Sequence, residues 1–355
     1  MRAPSPNQPF VTGLVHTLAG PVPQVSSDLT WRDHLGTLKV RWRIGRHNYK
    51  LDPGLYALNQ PEGNSPVLTS ANYKLSFDHL RRSMAGRDAW ILVLDTKGVN
   101  VWCAAGKGTL GTEELARRAE ASGLKQVTAL RELILPQLAG PGIAAHKVKK
   151  LCGFKVIYGP VRAKDLPAFL DNGRKATPQM RMVTYNTWDR AVLIPVELMG
   201  TLLQAAYILV GVCVLGGLSN PAGFWRGVST HGGAALASLL MVLTAGTVVA
   251  PLLLPWLPGR AFSLKGLWTG LAGSLGLAGL YAKGALGGLS LAEFAAWMVL
   301  VPAMTSYLVM DLTGSSSFTS LSGVKKEMRL AVPLQIAAGA LGLALWLGGV
   351  FGFLA

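Results

Sequence analysis

Two hydrophobic patterns divide the chain. Up to about residue 190, short apolar runs alternate with polar segments, whereas from Leu193 onward long apolar runs carry few charges. The first pattern is typical of buried strands that alternate with helices, and it predicts an α/β domain with a mostly parallel, Rossmann-like sheet over residues 31–190. The second pattern predicts an all-α transmembrane domain over residues 191–355.

Several segments of the first domain have a clear local prediction. The branched-rich run Trp90–Leu94 predicts a buried strand, and Val67–Ser70 predicts a shorter strand that is followed by a helix over Leu75–Ala85. The run Leu38–Ile44 alternates apolar and basic residues, which predicts a strand with one solvated face. Residues 1–30 are rich in Pro, Ser and Gly, so we expect a loosely structured lead-in there.

The second domain contains apolar runs that suit membrane crossing, which needs ~20 apolar residues per helix. Five spans are predicted, near 192–217, 233–257, 267–287, 291–310 and 331–354. If the first domain is cytoplasmic, the inner loops hold Arg260, Lys265, Lys325, Lys326 and Arg329, and the outer loops hold Arg226 and Lys283. Because basic residues favour the inner side, this count predicts an inner-membrane protein with a cytoplasmic first domain and an external C-terminus.

Charge and cysteine content narrow the class of protein. The formal net charge is +16, and residues 1–192 hold 27 Lys and Arg against 14 Asp and Glu. A basic domain joined to a membrane domain favours an anionic membrane surface or an acidic protein partner, so no nucleic-acid partner is expected. The chain has three Cys at spacings that fit no disulfide framework, and its N-terminus lacks the apolar run of a signal peptide. Both features favour a reducing, cytoplasmic location for the first domain.

One thiol, that of Cys103, lies where open α/β sheets bind ligands. The strand Trp90–Leu94 precedes it, and Gly106 and Gly108 follow it and can end a short helical turn. For a single Cys, a buried apolar role is the usual alternative. A phosphate-binding loop is excluded because Val101 stands where that motif needs Gly, and no second Cys is spaced for a redox or zinc pair. No His lies nearby in sequence, although a distant catalytic base is not excluded.

The sequence around this thiol resembles a motif of a known protein family. The segment Asn100-Val101-Trp102-Cys103-Ala104-Ala105-Gly106-Lys107 resembles, residue for residue, the cap-helix motif of the mercury-methylating corrinoid proteins of the HgcA family. The hydroxyl-rich loop 311–327 is similar to a loop of the same family. That family is related to the corrinoid iron–sulfur proteins of acetyl-CoA synthesis, which lack the cap-helix Cys as a cobalt ligand.

The resemblance implies a corrinoid-dependent methyltransferase that moves a methyl group from cobalt to Hg(II). It implies a base-off, cobalamin-type corrinoid with the catalytic residue Cys103 as the lower axial cobalt ligand. Thiolate is a soft, strongly donating ligand, and Hg(II) is a soft acceptor. The implied partners are a methyl-folate-dependent methyl donor and an HgcB-like ferredoxin with [4Fe–4S] clusters, which would reduce the cobalt.

The resemblance also implies which other residues contact the corrinoid. The presenting helix would contribute its remaining residues, namely Asn100, Val101, Trp102, Ala104, Ala105, Gly106, Lys107 and Gly108. Two further segments would lie near the nucleotide tail, and from them we select Thr69, Ser70, Ala71, Gln137, Gly140 and Gly142. The second of these segments departs from the family, because it reads Ala139-Gly140-Pro141-Gly142 where the family usually has Gly-Ala-Pro-Gly.

Two other functions remain open from the sequence. The first is a membrane-bound corrinoid methyl carrier of one-carbon or acetyl-CoA metabolism, in which the methyl acceptor is not mercury. The second is a transporter or vitamin-B12 uptake component, in which the first domain only binds the cofactor. Transport needs no bond between cobalt and a thiolate, so the motif around Cys103 favours methyl transfer over transport.

Overall fold

The chain forms two compact units. The computed structural model describes residues 3–315 and 321–354, and contacts divide the chain into Met1–Val183 and Thr184–Ala355. Residues 316–320 of the hydroxyl-rich loop lie outside the described residues. The similarity of that loop to the family therefore remains an observation on the sequence.

The first unit is built on one mixed sheet. In the described residues the sheet has seven strands in the order β1-β2-β3-β5-β4-β6-β7. The strands are β1 Val11–Thr17, β2 Gly20–Val25, β3 Gly54–Leu58, β4 Val67–Ala71, β5 Ala89–Leu94, β6 Glu132–Leu135 and β7 Lys155–Tyr158. Strands β5, β4, β6 and β7 form a parallel block, β3 pairs antiparallel with β5, and the hairpin β1–β2 extends the other edge.

Helices cover both faces of this sheet. The helices of the first unit are α1 Trp31–Arg41, α2 Lys74–Ser83, α3 Val101–Lys107, α4 Thr112–Ala121, α5 Leu124–Val127, α6 Ala145–Cys152 and α7 Leu166–Asp171. Strand β5 shows why two layers are needed, because its side chains alternate between two cores. Trp90, Leu92 and Leu94 enter one core, whereas Ile91 and Val93 enter the other. The coarse prediction of an α/β sheet with helices is confirmed.

The N-terminal part of the first unit differs from its prediction in two places. Residues 1–30 are not a loose lead-in, since β1 and β2 pair through residues 11–25 and join the sheet. The predicted strand Leu38–Ile44 is also wrong, because residues 38–41 belong to α1. The side chain of Thr30 accepts from the backbone N–H of Asp33, and the carboxylate of Asp33 accepts from Thr30. This reciprocal cap starts a helix, and it outweighs the alternating pattern that follows.

The second unit consists of helices. They are α8 Thr187–Ala191, α9 Ile194–Ser219, α10 Phe224–Gly227, α11 Gly233–Leu243, α12 Ala250–Leu253, α13 Phe262–Ala282, α14 Leu291–Asp311 and α15 Leu321–Val350. By length and composition, four helical segments in the described residues can cross a membrane, namely Thr187–Ser219, Phe224–Leu253, Leu291–Asp311 and Ser322–Val350. These four segments overlap the predicted first, second, fourth and fifth spans.

The predicted count of five spans is not confirmed. The third predicted span, 267–287, lies on α13, which is as long as α14 but is not among the four segments. Glycines and hydroxyl residues lower the apolar content of α13. They also let it approach α14 closely, because a Cβ at Gly270 would lie 2.6 Å from the Cα of Pro302. Close packing of this kind is the use that small residues have between membrane helices.

Candidate functional site

The strand order creates a crevice at one edge of the parallel block. From β4 the chain crosses to β5 on one side, and from β5 it returns past β4 to β6 on the other side. Ligands of open α/β sheets bind where the strand order reverses in this way, beyond the carboxyl ends of the strands. A cavity of about 350 Å³ lies there. It is lined by Leu68, Thr69, Ser70, Ser76, His79, Leu80, Asn100, Val101, Trp102, Ile134, Leu135, Pro136, Leu138, Pro160, Val161, Ala163 and Leu166.

The cavity walls are mostly apolar and uncharged. Among the described residues that line it, none is Asp, Glu, Lys or Arg. Partial burial of the ring, followed by the nearby Arg41, lowers the pKa of His79 below its usual value, although the residue as a whole is exposed. The hydroxyl of Thr69 is buried and has no hydrogen-bond partner among the residues that the structure describes. Buried polar atoms are nearly always paired, so this hydroxyl is available to a ligand.

A buried amide fixes the loop that leads from β5 to α3. The Oδ1 of Asn72 accepts from the backbone N–H of Thr96 at 3.0 Å, from the hydroxyl of Thr96 at 2.8 Å and from the N–H of Gly98 at 2.9 Å. Lys97 and Gly98 have left-handed backbone angles, with φ of 60° and 74°. The loop is therefore a tight turn held by hydrogen bonds to Asn72. As a result, α3 starts from a defined point at the edge of the sheet.

The helix α3 begins at a side-chain cap. The Oδ1 of Asn100 accepts from the backbone N–H of Cys103 at 2.9 Å, which satisfies one of the free donors of the first turn. Gly108 ends the helix in the left-handed conformation with φ of 76°. The residues Val101 and Trp102 reach the cavity, and Trp102 is 37% exposed.

Cys103 directly follows the lining residues Val101 and Trp102 in α3 and is not itself one of the residues that line the cavity. Cys103 is partly exposed and is not in a disulfide. By contrast, Cys152 is buried, its thiol donates to the carbonyl of Val148, and burial raises its pKa. An accessible thiol can bind a metal or react, whereas a buried one in apolar surroundings is inert. No group of three or more His, Cys, Asp or Glu side chains in the described residues is placed to hold a metal ion.

The opposite side of α3 is anchored in the protein. Ala104 is fully buried in the core beneath the sheet edge, and Ala105 is buried against Gly142. A Cβ at Gly142 would collide with the carbonyl oxygen of Leu110 and lie 3.1 Å from the Cα of Ala105. Gly142 therefore allows backbone to pack on backbone, which holds α3 in place. The sequence predicted ligand contact for these residues, and that contact stays a prediction.

The remaining predicted site residues fall into two groups. Gly106, Lys107 and Gly108 are exposed at the C-terminal end of α3, and the space around Gly106 and Gly108 is open. Ala71 is buried at the end of β4, next to the lining residue Ser70. Gln137 and Gly140 lie in the turn after β6, where the Oε1 of Gln137 accepts from Arg181 at 2.7 Å. Pro136 and Leu138, rather than Gln137, line the cavity from this turn.

Sequence reasoning missed part of the cavity wall. Ser76 and His79 reach it from one face of α2, and Pro160 and Val161 reach it from the end of β7. The chain after β7 would have been selected had the strand order been known, because carboxyl ends of neighbouring parallel strands meet at one edge. No local motif marks His79, since its role depends on how α2 packs on the sheet.

Comparisons with known proteins place the first unit near proteins of acetyl-CoA metabolism. Residues 30–170 match the family model described as CO dehydrogenase/acetyl-CoA synthase delta subunit. Among curated proteins, the chain is similar to the acetyl-CoA decarbonylase/synthase complex subunit gamma of several archaea. The one from Methanopyrus kandleri is 31% identical over 130 residues, which is 36% of this chain and 27% of the relative.

Two further relatives carry the same description. The protein of Methanothermobacter thermautotrophicus is 29% identical over 123 residues, which is 34% of this chain and 26% of the relative. The protein of Archaeoglobus fulgidus is 26% identical over 140 residues, which is 38% of this chain and 29% of the relative. The chain thus spans about a quarter of the length of the curated relatives it matches. These matches support the relation to proteins of acetyl-CoA synthesis, and mercury methylation is not part of any of these descriptions.

Proposed function

We propose that the protein is a membrane-bound, corrinoid-dependent methyl-transfer protein. One observation carries the proposal: the crevice where the strand order reverses is walled by the first turn of α3, and the next residue of that helix is the accessible thiol of Cys103. The similarity of residues 30–170 to proteins of acetyl-CoA metabolism supports the same chemistry. On this proposal the Rossmann-like first unit binds the cofactor.

The lining of the crevice is mostly apolar and offers a few hydroxyl and amide groups to a bound cofactor. Its described lining contains no Asp, Glu, Lys or Arg, and the buried hydroxyl of Thr69 has no partner among the described residues. Thr69 and Ser70 would hold the polar tail of the corrinoid, and the exposed side of α3, with Trp102 and Cys103, would meet its ring. When bound, a base-off corrinoid supplies a cobalt ion that carries the methyl group.

The chain would act on this cofactor through the position of one sulfur atom. A bound cation removes the proton of a coordinating thiol, so Cys103 would hold the cobalt ion as a thiolate. Asn100 positions that residue, because its side chain fixes the backbone N–H of Cys103 and with it the start of α3. Trp102, which is partly exposed at the cavity, would shield the sulfur from water.

Two methyl acceptors are candidates. Hg(II) is the acceptor that we favour from the segment Asn100–Lys107, with methyl-folate as the source of the methyl group and an HgcB-like [4Fe–4S] ferredoxin as the reductant. The second candidate is an acceptor of one-carbon or acetyl-CoA metabolism, and the relatives named acetyl-CoA decarbonylase/synthase complex subunit gamma favour it. Both candidates use the same site and the same thiol.

The second unit would hold the protein in the cytoplasmic membrane. Four helical segments are long and apolar enough to cross a bilayer. The proposal keeps the first unit in the cytoplasm, where methyl-folate and a reduced ferredoxin are available. It places the C-terminus outside, which requires α13 to cross as a fifth span, because four crossings would return the chain to the cytoplasm. The distribution of Lys and Arg between the loops supports this orientation.

The proposal is tested with the full chain in vesicles, under anaerobic conditions and with the iron–sulfur partner. The assay measures methylmercury formed from Hg(II) by the wild type, by Cys103→Ala and by the control Cys213→Ala, which removes a partly exposed thiol from the second unit. We expect Cys103→Ala to lose more than about 100-fold in rate, since even the loss of a residue that supports a metal ligand costs 10–100-fold. We expect Cys213→Ala to match the wild type.

Two results would change the proposal. A Cys103→Ala variant that methylates at the wild-type rate contradicts the role of this thiol. A wild-type protein that accepts a methyl group from the methyl-folate donor but forms no methylmercury rejects Hg(II) and supports the second acceptor. Membrane insertion and corrinoid content are measured in every sample, so that a loss of rate is not confused with a loss of protein.

A further inference from the structure

An apolar stripe faces the solvent on the first helix of the chain. Trp31, Leu35, Leu38 and Trp42 are 68%, 38%, 54% and 42% exposed, and Ile44, just beyond the helix, is 59% exposed. At about 100° per residue, the first four of these side chains fall within about 60° of one another around the helix axis. They form one continuous stripe along α1, which we call the α1 stripe together with Ile44.

The orientation of the α1 stripe is fixed by the other face of the helix. Asp33 and Val40 point inward and are almost fully buried. The carboxylate of Asp33 lies 2.8 Å from the Nζ of Lys74 and 2.8 Å from the guanidinium of Arg81, both on α2. Burial alone would raise the pKa of Asp33, but these partners and the N–H of Thr30 hold it far below its usual value. The stripe therefore faces outward because the opposite face is locked into the first unit.

Basic residues border the α1 stripe on both sides. At the same angular spacing, Arg32 and Lys39 flank one edge of the stripe and Arg41 flanks the other. Arg43 and Arg46 follow in the chain, and no Asp or Glu occurs in the sequence between Asp33 and Asp52. The guanidinium of Arg32 also lies 5.7 Å from the ring centre of Trp31. The patch is thus an apolar line with a rim of positive charge.

This combination matches a helix that lies in a membrane interface. Such helices bury Trp and Leu at the boundary of the acyl chains and direct Lys and Arg to anionic headgroups. Soluble surfaces rarely keep a contiguous apolar stripe of this kind without a partner. The same chain carries four segments that are long and apolar enough to cross a bilayer, which favours a lipid surface as the occupant.

We propose that the α1 stripe and its basic rim dock on the anionic headgroup surface of a lipid bilayer. The docked helix would give the first unit a second attachment to the membrane, besides the chain connection to the second unit. A second copy of the chain or an iron–sulfur protein is the competing occupant of the same surface. The competing occupants need no anionic lipid, and that difference makes the proposal testable.

Tryptic cleavage of the full chain in nanodiscs provides the test. Cleavage after Lys39, Arg41, Arg43 and Arg46 is followed by mass spectrometry in phosphatidylcholine discs and in discs that also contain phosphatidylglycerol. Cleavage after the exposed residues Lys125 and Lys150 serves as an internal reference. We expect the anionic lipid to slow cleavage within the rim at least about tenfold, and we expect about 0.5 M salt to restore it, since salt screens surface charge.

A matched pair of variants separates the stripe from general effects. Leu35→Gln combined with Leu38→Gln removes apolar surface from the stripe, and Leu151→Gln replaces an equally exposed leucine on α6. The double variant should be cleaved equally in both kinds of disc, whereas Leu151→Gln should behave as the wild type. Three results would each overturn the proposal. The wild type could be protected equally in both kinds of disc, the protection could survive in the double variant, or it could appear only when the iron–sulfur protein is added.

Discussion

The side chain of Asn100 and the backbone of Cys103 are joined by a hydrogen bond of 2.9 Å, in which the amide oxygen accepts from the N–H. This contact determines where α3 starts and therefore where the thiol lies relative to the sheet edge. The buried Asn72 fixes the preceding loop. The position of Cys103 thus depends on two asparagines, neither of which needs to contact a ligand with its side chain.

The cap at Asn100 can be tested by replacing it with a residue that caps and one that does not. Asn100→Ala should lower the stability of α3 by about 1 kcal/mol, because a free N–H is left in its first turn. Asn100→Ser keeps a capping oxygen and should therefore lower the stability of α3 less than Asn100→Ala does. Corrinoid retention after gel filtration, measured as the ratio of cobalt to protein, should follow the same order. Equal retention by the Ala and Ser variants would show that the cap does not position the site.

Removing the hydroxyl of Thr69 should not lower the stability of the corrinoid-free protein, but it should lower the affinity for the corrinoid. Thr69→Val preserves the shape of the side chain and removes a buried polar atom that has no partner in the described part of the chain. Without corrinoid, the variant should be at least as stable as the wild type. With corrinoid, affinity should fall about 2–12-fold, which corresponds to one hydrogen bond of about 0.5–1.5 kcal/mol.

Thermal unfolding and equilibrium binding measure the two sides of this prediction. Unchanged corrinoid affinity would mean that the hydroxyl of Thr69 does not contact the cofactor. A large loss of stability in the free protein would mean that the hydroxyl has a partner within the chain.

Two glycines near α3 should respond differently to alanine. A Cβ at Gly142 would collide with the carbonyl of Leu110, so Gly142→Ala should displace α3 and lower corrinoid affinity and thermal stability together. Gly106 lies inside α3 with open space around it, so Gly106→Ala should raise the stability of the corrinoid-free protein by about 0.5–1 kcal/mol. Calorimetry of the corrinoid-free chain distinguishes the two. A Gly142→Ala variant as stable as the wild type would contradict the close packing.

Acid should weaken the contact that anchors α1. Because its partners Lys74 and Arg81 outweigh burial, the pKa of Asp33 in the folded chain lies below the ordinary value of about 3.9. The stabilisation is therefore complete above about pH 4 and is lost as the pH falls toward the folded-state pKa. Asp33→Asn should lose up to about 3–5 kcal/mol at neutral pH, since the buried cations Lys74 and Arg81 would then share a single carboxylate partner, Asp78. The variant should also show a weaker decline in acid.

An exposed ion pair provides the control for Asp33. Asp171 pairs with Arg87 at 2.7 Å, but its side chain is 60% exposed. Asp171→Asn should change the neutral stability and its acid dependence very little, since exposed pairs contribute little. The unfolding temperature of the first unit, followed by calorimetry from pH 7 down to pH 3, measures both variants. Equal effects of Asp33→Asn and Asp171→Asn would contradict the anchoring role of Asp33.

Local patterns in the sequence were sufficient for the parallel core and for the helix that carries the thiol. Strand β5 reads as an uninterrupted apolar run because both of its faces are buried. Asn100 and Gly108 mark the two ends of α3. The sequence failed at α1, where apolar and basic residues alternate as in a strand. The Thr30–Asp33 cap and the burial of Asp33 on α2 make that segment helical, and only the second of these depends on the tertiary fold.

The cavity could be predicted only in part for a similar reason. Thr69, Ser70 and Asn100 to Trp102 end or follow strands along the chain, so a rule about strand ends selects them. His79 and Val161 enter the wall because α2 and β7 lie beside β4 and β6, and sequence spacing does not specify that neighbourhood. The span over 267–287 was predicted from its length, whereas the glycines of α13 serve close packing on α14.

The absorption spectrum of the corrinoid-loaded full chain tests the central claim most directly, because it reports the ligand on cobalt without depending on the methyl acceptor. The wild type, Cys103→Ala and Cys213→Ala are loaded anaerobically to the same ratio of cobalt to protein and compared. If the thiolate of Cys103 is the lower axial ligand, its removal changes the spectrum, and the spectrum of Cys213→Ala equals that of the wild type. A Cys103→Ala spectrum identical to that of the wild type would contradict the claim.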